Sequence, residues 1–374
     1  MQLPHFTPDR AGASSRAREA LDAFDRLALP LEKDEAWRYT DVEHLDLSPF
    51  APMRGEISVE GADTDDFGEG AGLVDADQDV FAAMSLAFGG GAKLTLSGTE
   101  RNVVHVEMGT GDASAAHLPL LHVQCTPGSE SVVVVRHTGE AGFSAPLIEV
   151  DIGDDARLHL VDVQELGPHV IHIATTRLRL GRASALDSVA VGLGAKLSRL
   201  RLETDLSGAG AESDMLGLYF GDGEQHFDNR TWQKHLAERC RSDVHYNGAV
   251  ADHARAVFLG LIYVGREGRK TDAGLTNRNL ILSEGASAYA KPELEILNSD
   301  IIRCNHAAAV GPVDEDQRYY LESRGLDPDV ARRLIIFGFF EEVLRRIPDR
   351  AVEAGLRLAV GEKFRRAEEA LVIR

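Results

Sequence analysis

Two residues in the segment Asp300-Ile301-Ile302-Arg303-Cys304-Asn305-His306 offer chemistry at a useful spacing. On an extended strand, positions i and i+2 point to the same side, so the thiol of Cys304 and the imidazole of His306 would stand next to each other. A soft thiolate beside an imidazole suits iron, zinc or copper(I), or a sulfur atom held in transit. The same Cys-x-His pattern also describes a buried cysteine and a hydrogen-bonded histidine in an ordinary β core. The surrounding sequence has to decide between these.

Other candidate sites are weaker. Gly265-Arg266-Glu267-Gly268-Arg269-Lys270-Thr271 ends like a phosphate loop. Its glycines, however, are separated by two residues instead of four, and no glycine directly precedes the lysine. Gly89-Gly90-Gly91-Ala92-Lys93 and Gly192-Leu193-Gly194-Ala195-Lys196 fail in the same way. None leads into a helix whose N-terminus could hold a phosphate, so no nucleotide is expected on this chain. His226, His235, Cys240, His245 and His253 match no closed zinc spacing. Glu293 and Glu295 would share a strand face, as the paired carboxylates of a β-helix enzyme acting on polysaccharide do.

The elements that must position Cys304 and His306 are mostly strands. With 374 residues, 44% of them apolar, the chain can bury a sizeable core. A net charge of −20 argues against binding nucleic acid and against attraction to anionic lipid. Three widely spaced cysteines, Cys125, Cys240 and Cys304, suit a reducing compartment, and no apolar run approaches the ~20 residues of a membrane span. A cytoplasmic location follows as the expectation.

Residues 9–28 read as an amphipathic helix capped by Asp9, with Ala17, Leu21, Phe24 and Leu27 recurring at helical spacing. Lys33-Asp34-Glu35-Ala36-Trp37-Arg38-Tyr39-Thr40-Asp41 reads as a helix start that packs Trp37 and Tyr39 onto a neighbour. Residues 51–92, rich in Gly, Asp and Glu, read as a loosely packed connection. From Lys93 onward, short apolar runs such as Val132-Val133-Val134-Val135, Leu158-His159-Leu160-Val161 and Leu200-Arg201-Leu202 follow one another without a helical segment between them. Tight-hairpin dipeptides are scarce, with Asp222-Gly223 and Asn247-Gly248 the only clear ones. Strands of this kind fit a parallel β-helix whose turns stack over a continuous core.

The expected domains are therefore an N-terminal helical region and connection over 1–92, a parallel β-helix over 93–312, and a C-terminal helical domain over 313–374. In the last, Asp314 caps one helix and Asp327-Pro328 starts another. That second helix carries more apolar residues than one narrow stripe can hold. Val330, Leu334, Phe337, Leu344 and Ile347 are expected to face the β body, leaving Ile336, Phe339, Phe340 and Val343 for the last helix or a partner protein.

From Asp228 to Arg346, in order and spacing over about 120 residues, the chain resembles the SufB/SufD family of iron–sulfur cluster assembly scaffolds. The resemblance rests on Asp228-Asn229-Arg230, His235, Cys240, Thr271-Asp272-Ala273, Lys291-Pro292-Glu293-Leu294-Glu295-Ile296, Cys304-Asn305-His306 and Tyr320-Leu321-Glu322-Ser323-Arg324-Gly325. Lys33 to Thr40 also resembles the opening segment of the SufD type. Where SufD sequences usually read Cys-Ser-His-Gly-Ala-Thr-Val-Gly, this chain has Cys304-Asn305-His306-Ala307-Ala308-Ala309-Val310-Gly311. The resemblance implies a mainly β fold, a right-handed parallel β-helix flanked by N- and C-terminal helical domains. It implies a non-catalytic scaffold that pairs with SufB, or with a second copy of itself, through the β-helix and binds the SufC ATPase through the C-terminal helices. It also implies a nascent iron–sulfur cluster held transiently at the SufB interface, with His306 and Cys304 as ligands or, for Cys304, as a sulfur-handling thiol. A β-helix enzyme acting on polysaccharide and a purely structural Suf subunit are the alternatives.

Overall fold

Apolar residues alternating along short strands need a facing sheet and a hydrogen-bonded strand on either side. The chain meets both needs by coiling. A computed structural model describes residues 3–372. It is mainly β, a parallel solenoid of about eight turns with helices toward both termini. Successive strands alternate between two sheets. The first sheet runs through Ile171–Leu180, Leu197–Leu206, His226–His235, Arg255–Val264 and Ser287–Ile296. The second runs through Glu130–Gly139, Arg157–Gln164, Ala185–Gly192, Glu212–Gly221, Arg241–Val250, Thr271–Ile281 and Ile301–Gly311. Neighbours in both runs are parallel and in register, Leu197 beside His226 and His226 beside Arg255. Antiparallel pairing occurs where Ile57–Glu60 meets Asn102–Thr110 and where Thr64–Asp66 meets Gly90–Leu96.

Between the sheets lie Leu158, Leu160, Leu202, Phe227, Phe258 and Ile262, all buried. The outer faces are roofed differently. Helices α1 (Ser15–Arg26) and α2 (Val80–Phe88) cover the start of the first sheet, over Ala116, Leu118, Leu120, Phe143 and Leu147. Helices α3 (Glu315–Ser323), α4 (Pro328–Leu344) and α5 (Arg350–Val372) follow the last strand. Buried residues of α4 and α5 pack on Val132, Val161, Val189, Leu216 and Phe220 of the second sheet.

Three local expectations change. Helix α1 is shorter than residues 9–28, because Asp9 belongs to a separate 3₁₀ turn, Pro8–Arg10. Ser14 is the cap instead, its side chain accepting from the Ala17 N–H. Residues 51–92 are not a loose connection. They contain three short strands and α2, whose nine residues are all buried and whose N-terminus is capped by Asp79. The glycines that suggested looseness mark close approach, since a Cβ on Gly91 would lie 1.7 Å from the Leu120 carbonyl oxygen. Asn247-Gly248 is no hairpin turn but mid-strand, where Gly248 leaves room for the Tyr219 ring.

The N-terminal roof is fastened by one charge. Glu149, on the outer face of the first sheet, is fully buried. Its carboxylate accepts from Arg16 Nη1 and Nη2 at 2.8 and 2.6 Å and from the backbone N–H groups of Ala71, Leu73 and Val74 at 2.7 Å each. Burial alone would raise its pKa, but the Arg16 guanidinium and these N–H donors hold it below the ordinary value of 4.5. Its contribution to stability is therefore complete above the unfolded-state value and is lost as pH falls through the lower folded one. Glu149→Gln is expected to cost about 3 kcal/mol at pH 7 by stranding Arg16, and to remove this acid-labile component of stability. Urea denaturation of both proteins at pH 7 and below pH 4.5 measures this.

Candidate functional site at the open end of the solenoid

Ser287–Ile296 and Ile301–Gly311 are the last strands of their sheets. Each has one neighbouring strand, so its other edge carries backbone donors and acceptors without a strand to take them. Cys304 pairs with Ala273 and His306 with Leu275, both buried core residues, so the two side chains share the core-facing side. A register shift opposite Thr271 and Asp272 skips Ile302, which is 67% exposed. No further turn closes the core over this strand. Cys304 is consequently half-buried against the core margin, and His306 is exposed.

Burial pushes the Cys304 thiol above its ordinary pKa. His306 lines a groove of about 770 Å³ together with Glu35, Trp232, Pro292, Glu293, Leu294 and Glu295. Around the pair, Leu294, Ile296, Leu297 and Val310 are 37–50% exposed. Among the described residues no three His, Cys, Asp or Glu side chains are placed to hold a metal ion together. The thiol and the imidazole are therefore the two groups of this kind that the described residues place on the terminal turn.

The remaining cysteines and histidines do not gather here. Cys125 and Cys240 are buried, the Cys125 thiol pushed up to about 12 by burial and by the Asp151 carboxylate. Cys240 donates to the Gly208 carbonyl at 3.3 Å, and burial raises its pKa. His235 sits inside the solenoid, 2.7 Å from Ser242 Oγ, and burial lowers its pKa to about 4. His226 contacts Thr40 and His245 contacts Glu342, on opposite outer faces. Gly265–Lys270 is a corner that leads into the strand Thr271–Ile281, and Lys270 pairs with Asp300. Glu293 is ion-paired with Lys291.

The buried stripe of α4 is wider than expected: Leu344 and Ile347 face the core and Phe337 packs against it, as expected, but so do residues left for another cover. Ile336, Phe340 and Val343 are fully buried against the second sheet, and Phe339, half-buried beside Phe340, offers its carbonyl to Asn247 Nδ2 at 2.7 Å. Val330 and Leu334, assigned to the core, are 42% and 50% exposed. Both sets keep helical spacing, and the second sheet takes the C-terminal part of each, Ile336 onward, while Val330 and Leu334 near the start of the helix stay outside. Leu358 on α5 and Tyr319 and Tyr320 on α3 add to the exposed apolar surface.

The fold is that of a parallel β-solenoid with helices toward both termini, here with a thiol and an imidazole on its open end. The chain belongs to the SufBD family: residues 107–339 match the model described as "SUF system FeS cluster assembly, SufBD core domain". It is 32% identical to the iron–sulfur cluster assembly SufBD family protein of Mycobacterium tuberculosis, over 96% of each chain. It is 27% identical to the iron–sulfur cluster assembly protein SufD of Escherichia coli, over 96% of this chain and 95% of that one. Within the family it is SufD-like.

Sequence reading missed the apolar rim of the open end. Its signal was the alternation Leu294-x-Ile296 in the final turn, legible only once that turn is known to be uncovered. Native-state alkylation is expected to modify Cys304 ahead of Cys125 and Cys240, slowly at pH 7 and faster as pH rises, because burial raises all three thiols but leaves only Cys304 half-open. Peptide mass spectrometry of timed iodoacetamide reactions checks the order.

Proposed function

We propose that this chain is a non-catalytic scaffold subunit in iron–sulfur cluster assembly. It pairs with SufB, or with a second copy of itself, through the open end of the solenoid. It binds the SufC ATPase through the C-terminal helices and holds a nascent cluster transiently at the paired interface. The observation that carries this reading is the terminal turn: two unpaired strand edges, an apolar rim, and Cys304 and His306 on one side. An edge of this kind is a template for another chain's strands, and pairing would bring a second donor set to the incomplete one. His306, exposed and free of a packing role, is the better ligand. Cys304 is ligand or sulfur carrier.

A polysaccharide-acting enzyme is not favoured, because Glu293 of the candidate carboxylate pair is taken up in an ion pair with Lys291 on its own strand. In the complex reconstituted with SufB and SufC, His306→Ala is expected to lower cluster yield to about a tenth or less, with folding near normal. Cys304→Ser is expected to lower it less. Visible absorbance and iron content per complex measure both, and wild-type yield in the two variants would show the pair to be structural.

The SufC surface is the exposed side of α4 and its neighbours, around Val330 and Leu334, with Ile336, Phe340 and Val343 beneath it as the support. Val330→Asp combined with Leu334→Asp is expected to abolish co-purification with SufC while the chain stays folded. Ile336→Asp is expected to destabilise the helical tail itself by several kcal/mol, since it buries a charge without a partner. Circular dichroism melts alongside pull-downs separate the two effects.

A further inference from the structure

A strand at the end of a parallel sheet is held on one side only, and Ser287–Ile296 is such a strand. Its outer face is nonetheless engaged. Residues 35–40, far away in sequence, contact three strands of the first sheet. Two fully buried arginines fix this segment by its backbone. Arg199 Nη2 donates to the Ala36 carbonyl at 2.6 Å, and Arg230 donates to the carbonyls of Glu35 and Arg38 at 3.0 and 2.6 Å. Both arginines lean on the buried Asp228 carboxylate, at 3.3 and 2.9 Å. Arg199 also lies 3.8 Å from the centre of the Trp37 ring.

Tyr39 is the residue this clamp acts on. Its φ of +71° is left-handed, a conformation that a bulky aromatic residue holds only when its surroundings over-determine it. They do so from both sides: Arg230 holds the Arg38 carbonyl, and the Thr40 hydroxyl donates to Asp228 at 2.8 Å. The strained turn lays the Tyr39 ring on Tyr289 of the terminal strand, with centroids 4.9 Å apart and planes 8° from parallel. Two residues further along the same face, Lys291 Nζ lies 3.4 Å from Glu35. Tyr289 is 45% exposed and contributes little to the core, so the stack, assisted by the Glu35 contact that Lys291 shares with Glu293, ties this strand's outer face to residues 35–40.

We infer that residues 35–40 form a strap that positions Ser287–Ile296, with Tyr39, Tyr289, Lys291 and Glu35 as positioning residues for the edge to which a partner is added. The inference rests on the pairing proposed above, but the strap itself is testable in the isolated full-length chain. Stacking and ion pairing on one strand resist its local opening, so Tyr289→Ala combined with Lys291→Ala is expected to speed amide exchange in residues 287–296 about tenfold or more. Exchange in Leu197–Leu206 and Arg255–Val264 stays as in the wild type. Tyr39→Gly, which accepts the left-handed φ and removes only the ring, is expected to act on the same amides.

Both variants are also expected to weaken pairing with SufB, or with a second copy, by about tenfold in dissociation constant, because a loosened edge must be re-ordered on binding. Unchanged exchange at 287–296 in both variants would overturn the strap. Faster exchange with unaltered pairing affinity would overturn its positioning role and leave the pairing intact. Should the wild-type chain pair with neither molecule, the pairing reading fails, and the exchange result alone decides whether the strap exists.

Discussion

Every strand in a parallel sheet depends on its neighbours for its backbone hydrogen bonds, and a coil of such strands passes that dependence from turn to turn until the strands end. The interior obeys the same rule. Leu158, Leu202 and Phe258 are dry because another turn lies on each side of them. At the beginning of the coil the debt is settled within the molecule, by antiparallel strands and by α1 and α2 laid over the first sheet. At the end it is not. The last two strands have free edges, their core-facing column opens to solvent, and this is where Cys304 and His306 stand.

The chemistry of the site follows from that position. One turn earlier, a thiol and an imidazole in the same columns would be sealed like Ala273 and Leu275. Cys240 and His235 show what sealing does, their pKa values displaced by burial toward the uncharged form. In the last turn Cys304 keeps part of that protection, which favours the protonated thiol, and the His306 side chain stands exposed. Both are presented on a hydrogen-bonded strand and not on a loop, which fixes their spacing. The proposed role as a scaffold asks for a rigid and incomplete set of donors, which the end of a solenoid can present.

Charges buried on the outer faces tie the other parts to the coil. Asp228 sits between Arg199 and Arg230, Glu149 takes Arg16 and three backbone N–H groups, and Lys363 of α5 donates to the Phe220 carbonyl, Asp222 and Gln225 at 2.6 to 2.8 Å. Burial lowers the Lys363 pKa to about 8 against the pull of Asp222. Such pairs contribute modestly to net stability, since desolvation consumes much of their attraction, but each is costly to break and so defines one placement. Apolar contact alone would let a helix slide over a smooth row of Val161, Val189 and Leu216. The ion pairs and the hydrogen bond from Asn247 to the Phe339 carbonyl remove that freedom.

The sequence by itself determined the solenoid, the positions of α3 and α4, and the shared face of Cys304 and His306. Alternation along a strand and capping at Asp314 and Asp327 are local rules, written within a few residues of where they act. It did not reveal α2, because the glycines beside it signal looseness unless one knows that the Leu120 carbonyl oxygen comes within 1.7 Å of where a Gly91 Cβ would be. Nor did it orient α4, whose apolar residues surround most of the helix and whose inward stripe was chosen by the second sheet. Tyr39 carries no local sign of a left-handed turn, since the arginines that impose it lie some 160 and 190 residues away. What only the tertiary structure decided was that nothing covers the last turn, because the helices that follow it pack on the second sheet instead, and its core-facing column stays open. The end of the strands is signalled by the helices after it, but where those helices lie depends on Val161, Val189 and Leu216, more than a hundred residues earlier.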